Sequence, residues 1–323
     1  MSIENIQTVI ARDMQAVDAV IRASLHSEVV LINQVSEYII NSGGKRLRPA
    51  LVLLAGGTLG EIGHRHHTLA AVIEFIHTAT LLHDDVVDES SMRRGQATAN
   101  TLFGNAASVL VGDFVYSRAF QMMVGADSMR VMQVLADATN IIAEGEVLQL
   151  LNCHDADISD DTYLKVIQYK TAKLFEAATR LGAIISGADA TTEEALREYG
   201  MRLGTAFQLI DDVLDFSGHA SEIGKNVGDD LAEGKPTLPL LHAMRHGSPA
   251  QSKLIRDSIE QGGGLEHLAQ IIHAVQETGA LDHVRRLARI EADAACAAIS
   301  HVPASLYRGA LLELASFAVD RNF

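Results

Sequence analysis

Residues 66–89 read HHTLAAVIEFIHTATLLHDDVVDE, a stretch without Gly or Pro whose apolar residues recur at helical spacing before it closes on three aspartates. It predicts one long helix with an acidic end. Helical periodicity continues on either side, and the pattern predicts helices over 4–25, 28–41, 49–59, 66–89, 106–124, 128–151, 160–186, 192–217 and 237–246, with several more to 320. Strands are hard to find. Asn41-Ser42-Gly43-Gly44 reads as a helix stop, and Pro49 suits the first position of the helix that follows. The fold class is therefore all-α.

Composition agrees. Among 323 residues, 48% are apolar, five are proline and none is tryptophan, which favours helices over a turn-rich β protein. Only 90–105 and 218–236 stand out as long loops, each rich in Gly and charge, and long loops in compact domains are usually functional. No linker composition divides the chain, so 1–323 reads as a single domain. Acidic residues outnumber basic ones 41 to 26, a net charge of −15 that repels nucleic acid and discourages anionic ligands at long range. Cys153 and Cys296 permit at most one bridge, the first twenty residues lack a signal-peptide pattern, and no apolar run approaches a membrane span. A cytoplasmic protein with at most peripheral membrane contact is expected.

The acidic helix end recurs. Leu82-His83-Asp84-Asp85-Val86-Val87-Asp88 is echoed by Leu209-Ile210-Asp211-Asp212-Val213-Leu214-Asp215. Residues four apart share a helix face, so Asp84 aligns with Asp88 and Asp211 with Asp215, although like charges at that spacing cost about 0.2–0.5 kcal/mol per pair. One such motif could be a solvated helix end. Two copies, each abutting a long loop that carries Gly and cations, point to a hard divalent cation: carboxylates are its natural ligands, and Mg²⁺ shares its shell with water and substrate phosphate. Phosphate-binding groups are at hand. Gly43-Gly44-Lys45-Arg46-Leu47-Arg48-Pro49 offers three cations and flexible amides at a helix start, Arg93-Arg94 follow the first acidic cluster, and Lys225 and Lys235 lie in the loop after the second.

The two aspartate motifs, GGKRLRP, Met92-Arg93-Arg94-Gly95, Lys170-Thr171-Ala172, Gln208 and Gly234-Lys235-Pro236-Thr237 together resemble the trans-polyprenyl diphosphate synthases, in the same order over about 40 to 240. Residues 83–123 are most similar to the octaprenyl enzymes of bacteria. The resemblance implies an all-α bundle around a central cavity (the isoprenoid synthase fold), a homodimer, and repeated 1′-4 condensation of isopentenyl diphosphate onto an allylic diphosphate such as farnesyl diphosphate. It implies that Asp84, Asp88 and Asp211 hold Mg²⁺, with Asp85, Asp212 and Asp215 as further members. Arg93, Lys170, Thr171 and Gln208 match the allylic diphosphate site, with Lys170 also in a catalytic role. Lys45, Arg48, His77 and Arg94 match the isopentenyl diphosphate site, and Lys225 and Lys235 would close over the diphosphates. The proton lost after condensation would pass to the departing pyrophosphate.

Rival readings have less support. A class I terpene synthase also ionises an allylic diphosphate on a DDxxD helix but has no need of GGKRLRP, a non-catalytic synthase subunit normally lacks one aspartate motif, and an acidic Ca²⁺-binding scaffold would need the spaced oxygens of an EF-hand loop. Product length is finer. In the family, the positions four and five before the first aspartate gate the tunnel; here they are Thr80 and Ala79, small enough for a long-chain enzyme, with Ile76 on the same face and Met123 as a possible floor. Ala79→Tyr is expected to shorten the product by several isoprene units without abolishing turnover. Chromatography showing an unchanged length would remove Ala79 from the gate.

Overall fold

The computed structural model describes residues 3–217 and 228–321. In chain order the helices are α1 (Ile3–Leu25), α2 (Val30–Asn41), α3 (Leu47–Gly57), α4 (His64–Val87), α5 (Ala99–Phe103), α6 (Asn105–Gly125), α7 (Met129–Asn152), α8 (Asp160–Ile167), α9 (Lys173–Ile185), α10 (Ala190–Ser217), α11 (Asp229–Ala232), α12 (Leu238–His246), α13 (Pro249–Gln261), α14 (Leu268–Glu277), α15 (Ala280–Ala298) and α16 (Leu306–Asp320). Strand pairing among the described residues is confined to an antiparallel ribbon of β1 (Met92–Arg93) and β2 (Gln96–Ala97). The chain is all-α, as its periodicity requires.

Three local expectations need correction. Helix α3 begins at Leu47, so Pro49 is its third residue; Pro is tolerated there because the first amides of a helix lack intrahelical acceptors. The segment 90–105 is not a featureless loop, since its Arg94-Gly95 turn, with φ of 54° and 74°, closes the ribbon. Between 160 and 186 the helix is interrupted by a π-helical turn at Gln168–Ala172, a feature without a periodicity signature and frequent at functional sites.

The chain forms two compact units interleaved in sequence. Of the described residues, unit 1 comprises those within 1–139, 174–200 and 296–314, and unit 2 those within 140–173, 201–295 and 315–323. The chain passes from one to the other inside helices, so no linker composition marks a boundary.

In unit 1, α4 packs against α1, α3 and α6. Every residue from Leu69 to Ile76 is buried, as suits a helix that is apolar nearly all round. Small residues let helices approach closely: a Cβ on Gly182 would lie 2.5 Å from the Val52 carbonyl oxygen, so the backbones of α9 and α3 touch there. In unit 2, α12 packs on α13 and α14. The second acidic motif lies on α10, where Leu209, Ile210, Val213 and Leu214 enter an apolar cluster with Leu240, Leu241, Ile255 and Ile271. Among the described residues, no helix is long and apolar enough to cross a membrane.

Candidate functional site

Unit 1 brings together the first aspartate motif, the glycine-lysine-arginine loop and the arginines of the ribbon. Asp84 and Asp88 are half-buried at the end of α4, with the Asp88 backbone N–H donating a capping hydrogen bond to the Asp84 carbonyl, whereas Asp85 is fully buried. The Asp85 carboxylate accepts from Nε of Arg93 at 2.7 Å, and its main-chain carbonyl accepts from the Asn100 amide at 3.1 Å. The middle carboxylate therefore fixes a cation, while its neighbours lie nearer the surface. The sequence grouped all three aspartates; burial separates them.

Around the loop, Arg48 donates through Nη1 to Nε2 of His77 at 3.0 Å and stacks its guanidinium 4.7 Å from the Phe175 ring centre. Burial, followed by the positive charges of Arg48, Arg94, Arg93 and Arg46, holds the His77 imidazole well below its usual range. His77 is thus a neutral ring accepting from Arg48, with its own proton on Nδ1. Arg94 donates to the Gly43 carbonyl and packs under Gly44, where a Cβ would lie 2.8 Å from Nη1. Arg46, read from the sequence as one of three anion-binding cations, points elsewhere: it adopts a left-handed conformation (φ 49°) and pairs with Glu74 at 2.5 Å. Such a backbone costs a non-glycine residue about 1–2 kcal/mol and so needs an outside contact to persist.

The expected chain-length residues lie inside unit 1. Ala79, Ile76 and Met123 are fully buried, and Thr80 bonds the His77 carbonyl at 2.8 Å.

Unit 2 holds the second motif in a polar chain. Thr171 donates to Oε1 of Gln208 at 2.9 Å, Gln208 donates to Oδ1 of Asp212 at 2.8 Å, and Tyr163 donates to Oδ2 of Asp212 at 2.5 Å. Burial first, then the charge of Asp230, pushes the Asp212 carboxyl up to about 8. Asp215 is buried as well, and Asp211 is half-buried. Asp211 meets Nη2 of Arg321 at 2.6 Å, while that guanidinium stacks 3.8 Å from the Phe207 ring centre and donates to the Phe207 carbonyl. Lys170 sits in the π-helical turn and pairs with Glu146 at 2.6 Å; a Cβ on Gly145 would lie 2.7 Å from the Lys170 amide nitrogen. Lys235 pairs with Glu233, and Lys225 lies outside the described residues.

Tyr163, Glu146, Arg321, Asn100 and Glu74 were not found by sequence reasoning, because each is an ordinary polar residue distant in sequence from its partner. Gly145 was the one local hint, a glycine inside a helical pattern. Carboxylate oxygens of the kind both motifs offer suit a hard cation such as Mg²⁺. Among the described residues, no three His, Cys, Asp or Glu side chains group closely enough to hold a metal ion, so a bound Mg²⁺ would draw on water and substrate phosphate for the rest of its shell.

The polyprenyl synthetase family model matches residues 29–276. The chain belongs to this family. It is 55% identical, over the full length of both chains, to an octaprenyl diphosphate synthase of Escherichia coli, and 46% identical over 98% of both to an all-trans-nonaprenyl-diphosphate synthase of Rhodobacter capsulatus. Among solved structures, a polyprenyl synthase of Caulobacter crescentus in complex with calcium and isoprenyl diphosphate superposes with a TM-score of 0.96 at 45% identity, covering 100% of this chain and 98% of that one. The fold is therefore the all-α isoprenoid synthase fold of the family's synthases.

Removing Arg93 would take from the buried Asp85 carboxylate the guanidinium it accepts from at 2.7 Å. Arg93→Met is expected to lower stability by about 3 kcal/mol in urea denaturation, whereas Arg285→Met at an exposed position should change it by less than about 0.5 kcal/mol. Equal effects would show that Asp85 does not depend on Arg93.

Proposed function

We propose that this chain is a long-chain trans-polyprenyl diphosphate synthase that adds isopentenyl units to farnesyl diphosphate and stops at the octaprenyl product, used for quinone side chains. The observation that carries the reading is the division of labour among the charges of unit 1. Arg93 is fixed by a carboxylate of the first aspartate motif, whereas Arg48 is held by His77 and Arg94 by the Gly43 carbonyl of the glycine-rich loop, so two diphosphates have distinct cations to meet. A terpene synthase, with one diphosphate to bind, would leave the loop cations without a substrate.

In this reading Asp84 and Asp88 on α4, and Asp211 on α10, hold Mg²⁺, which when bound neutralises the allylic diphosphate. Arg93, Lys170, Thr171 and Gln208 orient that diphosphate, and the cations among them stabilise the negative charge that builds as its C–O bond breaks. Lys45, Arg48 and Arg94 hold the second diphosphate, and neutral His77 aims Arg48. The double bond of isopentenyl diphosphate attacks the allylic cation, a C–C bond forms, and the proton released restores a double bond. Pyrophosphate takes that proton, since Asp84, Asp88 and Asp211 are committed to metal, Asp85 is paired with Arg93, and Asp212 is held by Tyr163 and Gln208. Lys235 covers the diphosphates and excludes water.

Chain length is consistent with the small Ala79 and Thr80 and with the identity to an octaprenyl enzyme, although a relative at 46% identity is named for nonaprenyl. Leu110 and Val124 on α6 are each 67% exposed. An apolar helix face of this kind suits a second copy of the chain, and we include a homodimer in the proposal. Cys153 and Cys296 form no disulfide, in keeping with a reducing, cytoplasmic compartment.

Pyrophosphate release tests the reaction. With Mg²⁺, release should require isopentenyl and farnesyl diphosphates together, and Asp84→Ala or Asp211→Ala should lower it by several orders of magnitude while helical circular dichroism stays intact. Release from farnesyl diphosphate alone would favour the terpene synthase, and near-normal activity in a variant would remove that carboxylate from the metal site.

A further inference from the structure

Gly43 and Gly44 have φ values of 78° and 138° and give the loop before α3 no stiffness of its own. Its position depends on contacts from outside. Arg94 holds the Gly43 carbonyl, and His77 on α4 accepts from Arg48 at the other end. Between these lies Arg46, whose left-handed backbone turns its side chain onto α4, where Nη1 meets Oε1 of Glu74 at 2.5 Å. Glu74 is 7% exposed, in the middle of the longest buried run of α4, and stands one helical turn before His77. A carboxylate there is stable only if paired, and Arg46 tolerates its backbone only if held. Each explains the other.

We infer that the Arg46–Glu74 ion pair positions the isopentenyl-diphosphate site. It fastens the loop to α4 beside the His77–Arg48 contact, so that α4 grips the loop on both sides of Leu47. Because Glu74 balances Arg46, the loop's charge toward a diphosphate comes from Lys45 and Arg48 alone. Arg46 and Glu74 are then positioning residues, acting through Lys45 and Arg48 without touching substrate. This inference rests on the synthase reading, and it concerns only the second substrate.

The test is titration calorimetry of isopentenyl diphosphate into the wild type and Glu74→Gln, with steady-state kinetics for both substrates. Glu74→Gln is nearly isosteric and removes the charge. Its Kd and KM for isopentenyl diphosphate should rise about tenfold, equivalent to about 1.4 kcal/mol, while kcat and KM for farnesyl diphosphate stay within about twofold. Arg46→Lys, which keeps the charge but loses the fork geometry, should shift the same constants in the same direction and carries the test if Glu74→Gln does not fold. Unchanged isopentenyl affinity in a folded variant, or a parallel loss for both substrates, would overturn the inference and leave the synthase reading standing. Absence of isopentenyl diphosphate binding to the wild type would overturn both.

Discussion

A charge removed from water must meet a counter-charge or cost several kcal/mol, and the functional residues of this chain are arranged under that constraint. Asp85 is paired with Arg93, Glu74 with Arg46, Glu146 with Lys170 and Asp211 with Arg321. Each pair places one member of a motif against a residue that the motif does not contain. The proposed synthase would need cations concentrated beside carboxylates that take metal, and in this chain the candidate groups hold one another in place. Preorganisation of this kind would let the proposed site meet charge developing in the reaction without first reordering its side chains.

The fold was largely legible because helical periodicity is a local signal. Helix ends fell within two residues of expectation almost throughout, and the long α4 followed from an uninterrupted run between Gly63 and the aspartates. What escaped was information that periodicity does not carry. The π-helical turn around Lys170 spans only five residues inside a continuous helical run, and the ribbon at 92–97 is too short to show alternation. The site was legible as a set of residue types but not as a set of roles. Asp84, Asp85 and Asp88 read alike in sequence, and only burial shows that the middle one anchors an arginine. Arg46 reads like Lys45 and Arg48 until its backbone is seen to turn the other way.

The net charge of −15 also has a narrower meaning than it first carries. It still argues against a nucleic-acid partner, which samples the long-range field. A small diphosphate responds instead to the nearest few charges, where fixed arginines and a divalent cation can outweigh the global sign. Product length is finer still: the proposal makes it depend on side-chain volume at Ala79, Thr80 and Met123, and members of the family at 55% and 46% identity carry different chain lengths in their names.

The most direct measurement of the central claim is the length of the product. Labelled isopentenyl diphosphate and farnesyl diphosphate are incubated with the full chain and Mg²⁺, and the dephosphorylated product is run against polyprenol standards. The account predicts a labelled all-trans product of eight isoprene units that appears only when both substrates are present; cyclised hydrocarbon, or no product longer than the primer, would contradict it.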